Sequence, residues 1–329
     1  MPVAVTRRTL LSAAAACTTA SFAVAQPALG PRPRAGEVRA GAGGTKVVLL
    51  GTKGGPRVNK GRANPSNLVI AAGRSYVVDC GYGVTRQLVA AGVEAQEVRT
   101  ILITHNHSDH MLEVGPLIYN AWAGGLTEPI EVRGPPPIGK IVTNFLESVG
   151  YDIDIRMEDE GRPDLRKFVR VHEFEAPPLG AGAATAFERD GLRVSAVRVR
   201  HPPITHAYAY RFDAPDRSIV LSGDTTYSPE LVALAKGADV LVHEAMHLAG
   251  LDRLLSRNPN APTLRKHLVE SHTTTEQLGH VAAEAGVKTL VLSHLVPGDD
   301  PSITAAMWTE DVRKNFSGEI VIGRDLMTI

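Results

Sequence analysis

The stretch that decides the fold is Thr104-His105-Asn106-His107-Ser108-Asp109-His110. It follows directly on the apolar run Ile101-Leu102-Ile103, which is typical of a short buried strand. Parallel sheets of α/β proteins place their functional loops at the carboxyl ends of such strands. Buried together, the three imidazoles would lose hydration and would repel one another when protonated. Because a divalent cation binds neutral imidazole and ionised carboxylate, the stretch predicts a metal site rather than an ordinary polar loop.

The composition is that of an ordinary globular protein. The chain has 329 residues, of which 21% are charged and 43% are hydrophobic. This length suits one large α/β domain or two small ones. The formal net charge is zero, which excludes the global basic field of a protein that binds nucleic acid mainly through phosphates. A local basic patch stays open.

The N-terminus has the features of an export signal. Arg7-Arg8 lies before a small-residue apolar stretch, and Ala23-Val24-Ala25 fits a cleavage site. We therefore expect a twin-arginine signal peptide over 1–25, with an uncleaved anchor or a lipoprotein as alternatives. Residues 26–45 are rich in Pro, Arg, Gly and Ala and predict a flexible linker. The domain then covers 46–329, and the protein is expected to be periplasmic or secreted.

Three further apolar runs also end close to a candidate ligand. They are Val194 to Val199 before His201, Ser218 to Leu221 before Asp224, and Thr289 to Leu292 before His294. Glycine at 223 lets the chain turn so that the Asp224 carboxylate can lie over its strand end. Cys80, the only cysteine left after signal cleavage, is expected to be a buried apolar residue. No intramolecular disulfide is then available.

Several of these motifs resemble the metallo-β-lactamase-fold hydrolases, and within them the ribonuclease Z-like branch. The motifs are the histidine stretch already quoted, Leu50-Gly51-Thr52, Gly223-Asp224-Thr225, Val242-His243-Glu244-Ala245 and Ser271-His272-Thr273-Thr274. The resemblance implies an α/β fold, the αββα sandwich with two facing mixed sheets, outer helices and metals at one edge. It also places the loop after Leu50 over the rim of the active site.

The resemblance implies a dinuclear zinc centre. One zinc would be bound by His105, His107 and His201, the second by Asp109, His110 and His294, and Asp224 would bridge the two. Mn²⁺ or iron is an alternative, because the set contains imidazole and carboxylate but no thiolate. His206 stays open as the third ligand of the first metal, since Ala209 stands where the branch has glycine and the spacing is longer. Asp79 is expected to support a ligand histidine or to begin a helix.

The same resemblance assigns catalytic roles to Asp109, Glu244 and His272. A hydroxide bridging the metals would attack the ester, Glu244 would orient His272, and His272 would stabilise or protonate the leaving oxygen. His243 to His247 also has the form H-E-x-x-H, which in zincin proteases must lie on a helix. An apolar run leads directly into His243, which favours a strand.

The first hypothesis for function is an arylsulfatase-like hydrolase of sulfate or phosphate (di)esters. The short segment Phe212 to Ser218 leaves no room for the tRNA-binding arm of true tRNA-processing members, and export would remove tRNA as a substrate. Three alternatives remain: a ribonuclease Z-like phosphodiesterase or ribonuclease, a β-lactam or lactone hydrolase, and a non-catalytic metal-binding protein. The expected partner is a small-molecule ester, with no stable membrane partner and with a homodimer left open.

Periodicity predicts the main helices of the domain. They are expected at Val84 to Ala91, Met111 to Ala121, Ile138 to Val149 and Glu276 to Ala285. The acidic and polar segment from Asp152 to Asp164 is expected to be a surface segment. The locally basic segment from Ala249 to Ser271 is either a lid that contacts substrate or a solvated surface.

Overall fold

The computed structural model describes residues 44–256 and 261–329. The predicted signal peptide and residues 26–43 of the predicted linker lie outside this part of the chain. Thr45, the last residue of the predicted linker, is anchored to the domain, because its backbone N–H and its hydroxyl donate to the Asp216 carboxylate at 2.7 and 2.6 Å. The first strand follows at Lys46.

Fourteen strands are formed by the described residues. They are β1 Lys46–Gly51, β2 Ser66–Ala71, β3 Arg74–Val78, β4 Val98–Leu102, β5 Ile130–Gly134, β6 Val169–Glu173, β7 Ala184–Arg189, β8 Leu192–Arg198, β9 Tyr208–Asp213, β10 Ser218–Leu221, β11 Val240–Met246, β12 Thr289–Val296, β13 Glu319–Ile322 and β14 Met327–Thr328.

Ten α-helices connect the strands within the same described ranges. They are α1 Val84–Ala90, α2 Ser108–Met111, α3 Val114–Ala123, α4 Ile138–Ser148, α5 Gly150–Glu160, α6 Pro229–Leu234, α7 Leu248–Leu255, α8 Ala261–Ser271, α9 Thr275–Ala285 and α10 Ala305–Arg313. Short 3-10 helices lie at Ala95–Glu97 and Leu165–Lys167.

The strands form two mixed sheets of seven strands each. The first has the order β14-β1-β2-β3-β4-β5-β6 and the second the order β13-β12-β11-β10-β9-β8-β7. In the first sheet, β1 to β3 pair antiparallel and β3 to β6 pair parallel. In the second sheet, β7 to β10 pair antiparallel and β10 to β13 pair parallel. The carboxyl ends of the parallel strands within each sheet therefore share one edge.

Three apolar layers hold the sheets and helices together. Between the sheets, side chains such as Leu49, Tyr76 and Leu102 pack against Tyr210 and Phe212. A second cluster covers the outer face of the first sheet with α1, α3 and α4, and a third covers the second sheet with α6, α9 and α10. Strands covered on both faces need continuous apolar sequence, which explains runs such as β4 and β12. The predicted αββα sandwich is confirmed.

The helix α5 was not predicted, because its sequence is polar and acidic. Two features stabilise it as a helix. Arg156 donates to Asp152 at 2.9 Å and to Glu160 at 2.6 Å, both at i,i+4 spacing. Ile153 is buried in the core cluster of the first sheet. The segment from Asp152 to Asp164 lies at the surface, as expected, and is helical as far as Glu160.

The helix predicted from Met111 divides in two: α2 ends at Met111 and α3 begins at Val114. In the described part of the chain, no helix is both long enough and apolar enough to cross a membrane.

Candidate metal centre

The first sheet supplies the histidine loop at the end of β4. Asp79, which adopts a left-handed backbone conformation with φ 65°, lies beneath this loop. Its carboxylate accepts hydrogen bonds from the backbone N–H of Thr104 at 2.8 Å and from the Thr104 hydroxyl. It also lies 2.8 Å from Nδ1 of His110. A carboxylate on the other ring nitrogen fixes both the orientation and the tautomer of a ligand histidine.

The second sheet supplies Asp224 after β10 through a close turn. Gly223 has φ 58°, and a Cβ atom there would lie 2.7 Å from the carbonyl oxygen of Tyr208 and 3.0 Å from Cβ of Thr104. Only glycine fits this close approach between the two sheets. Asp224 is thereby held 3% exposed at the edge where the histidine loop ends.

The sequence predicts His294 at the end of its strand, but in the structure this residue lies inside β12. Ser293 pairs with Glu244 and Leu295 pairs with Ala245, so that His294 is the extra residue of a bulge. Its φ is 42°. A bulge of this kind turns one side chain out of the regular alternation of a strand. The strand itself continues to Val296.

The seven predicted ligands lie in two groups that meet at Asp224. In the first group, Nδ1 of His107 is 3.0 Å from Nε2 of both His105 and His201. In the second, Oδ2 of Asp109 is 3.7 Å from Nε2 of His110 and 3.6 Å from Nε2 of His294. Oδ2 of Asp224 lies between the groups, at 3.8 Å from His105, 3.3 Å from His110, 4.0 Å from His201 and 3.1 Å from His294.

The structure distinguishes His201 from His206. His201 is buried, and its Nδ1 donates to the carbonyl oxygen of Ser271 at 2.8 Å, which leaves Nε2 directed at the ligand group. The side chain of His206 is 30% exposed and lies 3.6 Å from the Glu175 carboxylate. Only His201 is part of the cluster among the described residues.

The electrostatics of the first group suit a cation. Burial lowers the pKa of His105, His107 and His201, that of His201 to about 4. These imidazoles are therefore neutral near pH 7 and have lone pairs available. Nitrogen atoms 3.0 Å apart, each with a lone pair to donate, are the arrangement expected of ligands to one ion.

The second group carries an excess of negative charge. Burial alone lowers the pKa of His294, but Asp224 and Asp109 outweigh it and raise that pKa to about 10. For His110 the carboxylates of Asp224 and Asp79 likewise outweigh burial, and its pKa is raised. Within the described ranges, Nε2 of His110, both ring nitrogens of His294 and Oδ1 of Asp224 are buried without a hydrogen bond. A divalent cation can replace the bound protons and satisfy these atoms, so the residues fit the implied metals.

A histidine–glutamate pair adjoins the cluster. Nδ1 of His272 donates to Oε2 of Glu244 at 2.8 Å, and Oε1 of Glu244 accepts the backbone N–H of Thr225 at 2.6 Å. Both side chains are buried. Burial lowers the pKa of His272, yet Glu244 and Asp224 outweigh it and raise the pKa above its ordinary value. Since Nδ1 is held by Glu244, Nε2 is the nitrogen free to act on a substrate.

The H-E-x-x-H motif does not form a zincin site. Residues 243–246 lie in strand β11 and not on a helix. Nδ1 of His243 bonds to the carbonyl oxygen of Glu244 at 2.8 Å, while His247 caps α7 by accepting the N–H of Gly250 at 3.0 Å. The two histidines therefore do not converge on one point.

A cavity of about 840 Å³ opens in front of the cluster. Its lining includes His107, Asp109, Asp224, His272 and His294. Further lining residues come from the loop after β1, from α7 and α8, and from residues 296–299 at the end of β12. Helices α7 and α8 belong to the segment predicted as either a lid or a solvated surface. Both helices line the cavity, and their contact with a substrate stays a prediction.

Sequence reasoning missed Lys53, which also lines this cavity and is only 4% exposed. The sequence does contain a signal for it, because a single lysine stands between Thr52 and two glycines in the loop predicted to lie over the rim.

Comparisons with known proteins agree with the fold and the cluster. A model of the family described as anti-Pycsar protein Apyc1 matches residues 45–256. Ribonuclease Z of Mycobacterium bovis (strain BCG / Pasteur 1173P2) is 33% identical over 284 residues, which cover 85% of this chain and 96% of the relative.

Two solved structures are similar in fold. The short form of human tRNase Z has a TM-score of 0.62 at 22% identity, covering 86% of this chain and 98% of that one. The metallo-β-lactamase fold protein YhfI from Bacillus subtilis has a TM-score of 0.61 at 21% identity, covering 87% and 98%. At these identities the two structures bear on the fold alone.

Proposed function

The chain belongs to the ribonuclease Z-like branch of the metallo-β-lactamase-fold hydrolases and to the family of the anti-Pycsar protein Apyc1, and on this premise we propose that it hydrolyses phosphodiesters with two bound metal ions. It is a metal-dependent hydrolase that acts on ester bonds. The arylsulfatase-like interpretation is not supported by the comparisons, which favour the ribonuclease Z-like alternative. The exported location stays a prediction.

One observation supports the proposal most strongly: two ligand groups share Asp224 directly beside the His272–Glu244 pair. His105, His107 and His201 would hold one ion, Asp109, His110 and His294 the other, and Asp224 would contact both. Zinc suits these ligands, with Mn²⁺ or iron as alternatives. When bound, such a pair of ions supplies Lewis-acid charge for phosphoryl transfer and lowers the pKa of bound water.

The chain itself supplies the proton for the leaving group. Glu244 accepts Nδ1–H of His272 and fixes the ring, so that Nε2 faces the cavity. Glu244 and Asp224 raise the pKa of His272 against the effect of burial, which favours the protonated form of the ring. As the P–O bond breaks, Nε2–H donates its proton to the departing oxygen, which leaves as an alcohol. Thr225 holds Glu244 in place through its backbone N–H.

The test compares bis(p-nitrophenyl) phosphate with p-nitrophenyl sulfate on metal-loaded protein. We expect hydrolysis of the phosphodiester, and we expect His272→Ala to lower kcat by about 10²–10⁴-fold with the metal content unchanged. His206→Ala is the matched control, because this histidine is partly exposed and lies outside the cluster. Faster turnover of the sulfate would contradict the proposal and favour the arylsulfatase-like function. If neither ester is hydrolysed, a β-lactam or lactone becomes the substrate to test.

A further inference from the structure

The cavity in front of the cluster has the size of a small-molecule site. Its volume of about 840 Å³ lies within the range of roughly 300–1,000 Å³ found for pockets that enclose most of a small ligand. Two parts of its wall belong neither to the metal ligands nor to the His272–Glu244 pair. One part carries the cationic side chains of Lys53 and Arg57 together with Asp299, and the other part is apolar; together they indicate the class of substrate.

Lys53 forms the cationic part of the wall. Its ammonium group donates to the carbonyl oxygens of Gly54 at 2.8 Å and Gly55 at 3.1 Å, which leaves one of three N–H donors for a ligand. The charge of Asp299, in the same lining, acts on this ammonium group, but among the described residues Lys53 forms no ion pair within 4 Å. Arg57, which is exposed, lies at the same side of the lining.

The loop that carries Lys53 is fixed to the strand of a metal ligand. The backbone N–H of Leu295 donates to Thr52 at 2.9 Å, and that of Gly54 donates to Leu295 at 3.1 Å. A Cβ atom on Gly54 would come within 2.7 Å of the His294 ring. Lys53 is therefore held next to the cluster by backbone pairing and is not a mobile surface lysine.

Leucines of α7 and α8 form the apolar part of the wall. Leu254, Leu264 and Leu268 line the cavity. Leu264 and Leu268 also pack against a buried cluster that contains Leu255 and Val296, which fixes the two helices to the domain. Arg265 pairs with Asp252 at 2.7 Å on the exposed side of the same helices. Apolar side chains that line a cavity beside a polar centre are typical of ligand sites.

We propose that the cavity takes a small phosphodiester with one apolar substituent, whose phosphate contacts Lys53 and whose substituent packs against Leu254, Leu264 and Leu268. This inference rests on the proposed phosphodiesterase function and adds the class of substrate to it. A polynucleotide has a charged phosphate at every nucleotide and is bound along basic tracks, which a leucine wall does not provide. When an apolar substituent binds against this wall, its surface and that of the leucines are both buried from water, which favours binding.

The apolar wall is tested with phosphodiesters that share p-nitrophenol as leaving group. We expect kcat/KM for phenyl p-nitrophenyl phosphate to exceed that for methyl p-nitrophenyl phosphate by about tenfold or more, since burial of each methylene equivalent favours binding several-fold. Leu264→Asn should reduce this ratio to about threefold or less. Leu248→Asn, at an exposed leucine outside the cavity lining, should leave it unchanged. Because the ratio is first measured on the unmodified protein, poor folding of a variant does not remove the test.

The role of Lys53 is tested by Lys53→Met. We expect KM for the phenyl ester to rise about tenfold or more with a smaller change in kcat, because a charge-assisted contact to the bound phosphate is lost. Lys53→Arg should restore part of the effect, and Lys60→Met, at an exposed lysine of the same loop, should change neither constant. If Lys53→Met lowers the thermal stability but leaves KM unchanged, Lys53 stabilises the fold without contacting the substrate, and the inference is contradicted.

The remaining outcomes separate this inference from the proposed function. Hydrolysis of both esters with a phenyl-to-methyl ratio near one overturns the inference and leaves the phosphodiesterase function standing. Cleavage of a single-stranded oligoribonucleotide with a higher kcat/KM than the phenyl ester also overturns it. If metal-loaded protein hydrolyses no phosphodiester, both the function and the inference are wrong.

Discussion

The two edges of the sandwich differ in how their charged side chains are paired. At the edge where the parallel strands begin, acids and bases pair with each other: Lys288 with Asp239 at 2.6 Å and Arg74 with Asp190 at 2.8 Å. At the edge where these strands end, the carboxylate of Asp224 lies among five imidazoles at 3.1 to 4.0 Å. Several buried polar atoms there form no hydrogen bond within the described residues.

The difference shows which edge is built to bind something. Solvent-exposed ion pairs satisfy each other and contribute little to stability. A buried group of imidazoles and carboxylates with unsatisfied atoms is costly by itself, and its cost falls when a cation is bound. The contrast yields four predictions, ordered by the size of the expected effect.

The largest effect is expected from Asp224→Asn, because this carboxylate lies in the first ligand group and within 3.3 Å of both histidines of the second. Removing its charge should lower the bound metal by one ion or more per chain and lower kcat/KM by about 10³-fold or more. Metal content by mass spectrometry and phosphodiesterase activity measure the two effects. The matched control is Asp239→Asn at the opposite edge, and a full complement of metal in Asp224→Asn would contradict the bridging role.

Metal removal should destabilise the site edge more than the rest of the molecule. A ligand that binds only the folded state raises the melting temperature, so a chelator should lower it by several degrees. Hydrogen exchange should then increase in the loop of residues 104–110 and around His294. Equal exchange at both edges after chelation would mean that the cluster does not depend on metal for its order.

A smaller effect is expected from Asp79→Asn, which keeps the shape of the side chain beneath the histidine loop. Asparagine tolerates the left-handed backbone at this position. It removes the carboxylate that holds Nδ1 of His110, and metal affinity should fall by about 10–100-fold. Competition with a chromogenic chelator measures the affinity. Unchanged metal affinity would show that Asp79 holds the Thr104 loop and does not support His110 as a ligand.

The smallest effect concerns acid stability at the paired edge. Lys288, together with the N–H and hydroxyl of Ser218, lowers the pKa of Asp239 to about 2. Because the folded pKa lies below the ordinary value, the stabilisation is present above about pH 4 and is lost as the pH falls toward 2. Asp239→Asn should therefore cost less than about 1 kcal/mol at pH 6, and this cost should disappear near pH 2. Urea unfolding of both proteins at several pH values measures the difference, and a cost that grows with acidity would contradict the assignment.

Prediction from sequence succeeded where the signal was local. A run covered on both faces has continuous apolar sequence, so β4, β10 and β12 could be recognised without a structure. It failed where contacts between distant segments decide. Helix α5 has a weak apolar pattern and depends on ion pairs and one buried isoleucine, and the bulge at His294 depends on how β12 pairs with β11.

The sequence by itself determined the fold class and the residue types of the cluster, because strand periodicity and closely spaced histidines are properties of neighbouring residues. Only the tertiary structure decided between His201 and His206, directed Lys53 toward the cavity and placed the leucines of α8 beside it. Those outcomes depend on backbone pairing and packing between distant segments, such as Thr52 with Leu295, which are 243 residues apart. No local pattern encodes which side chains such pairing brings together.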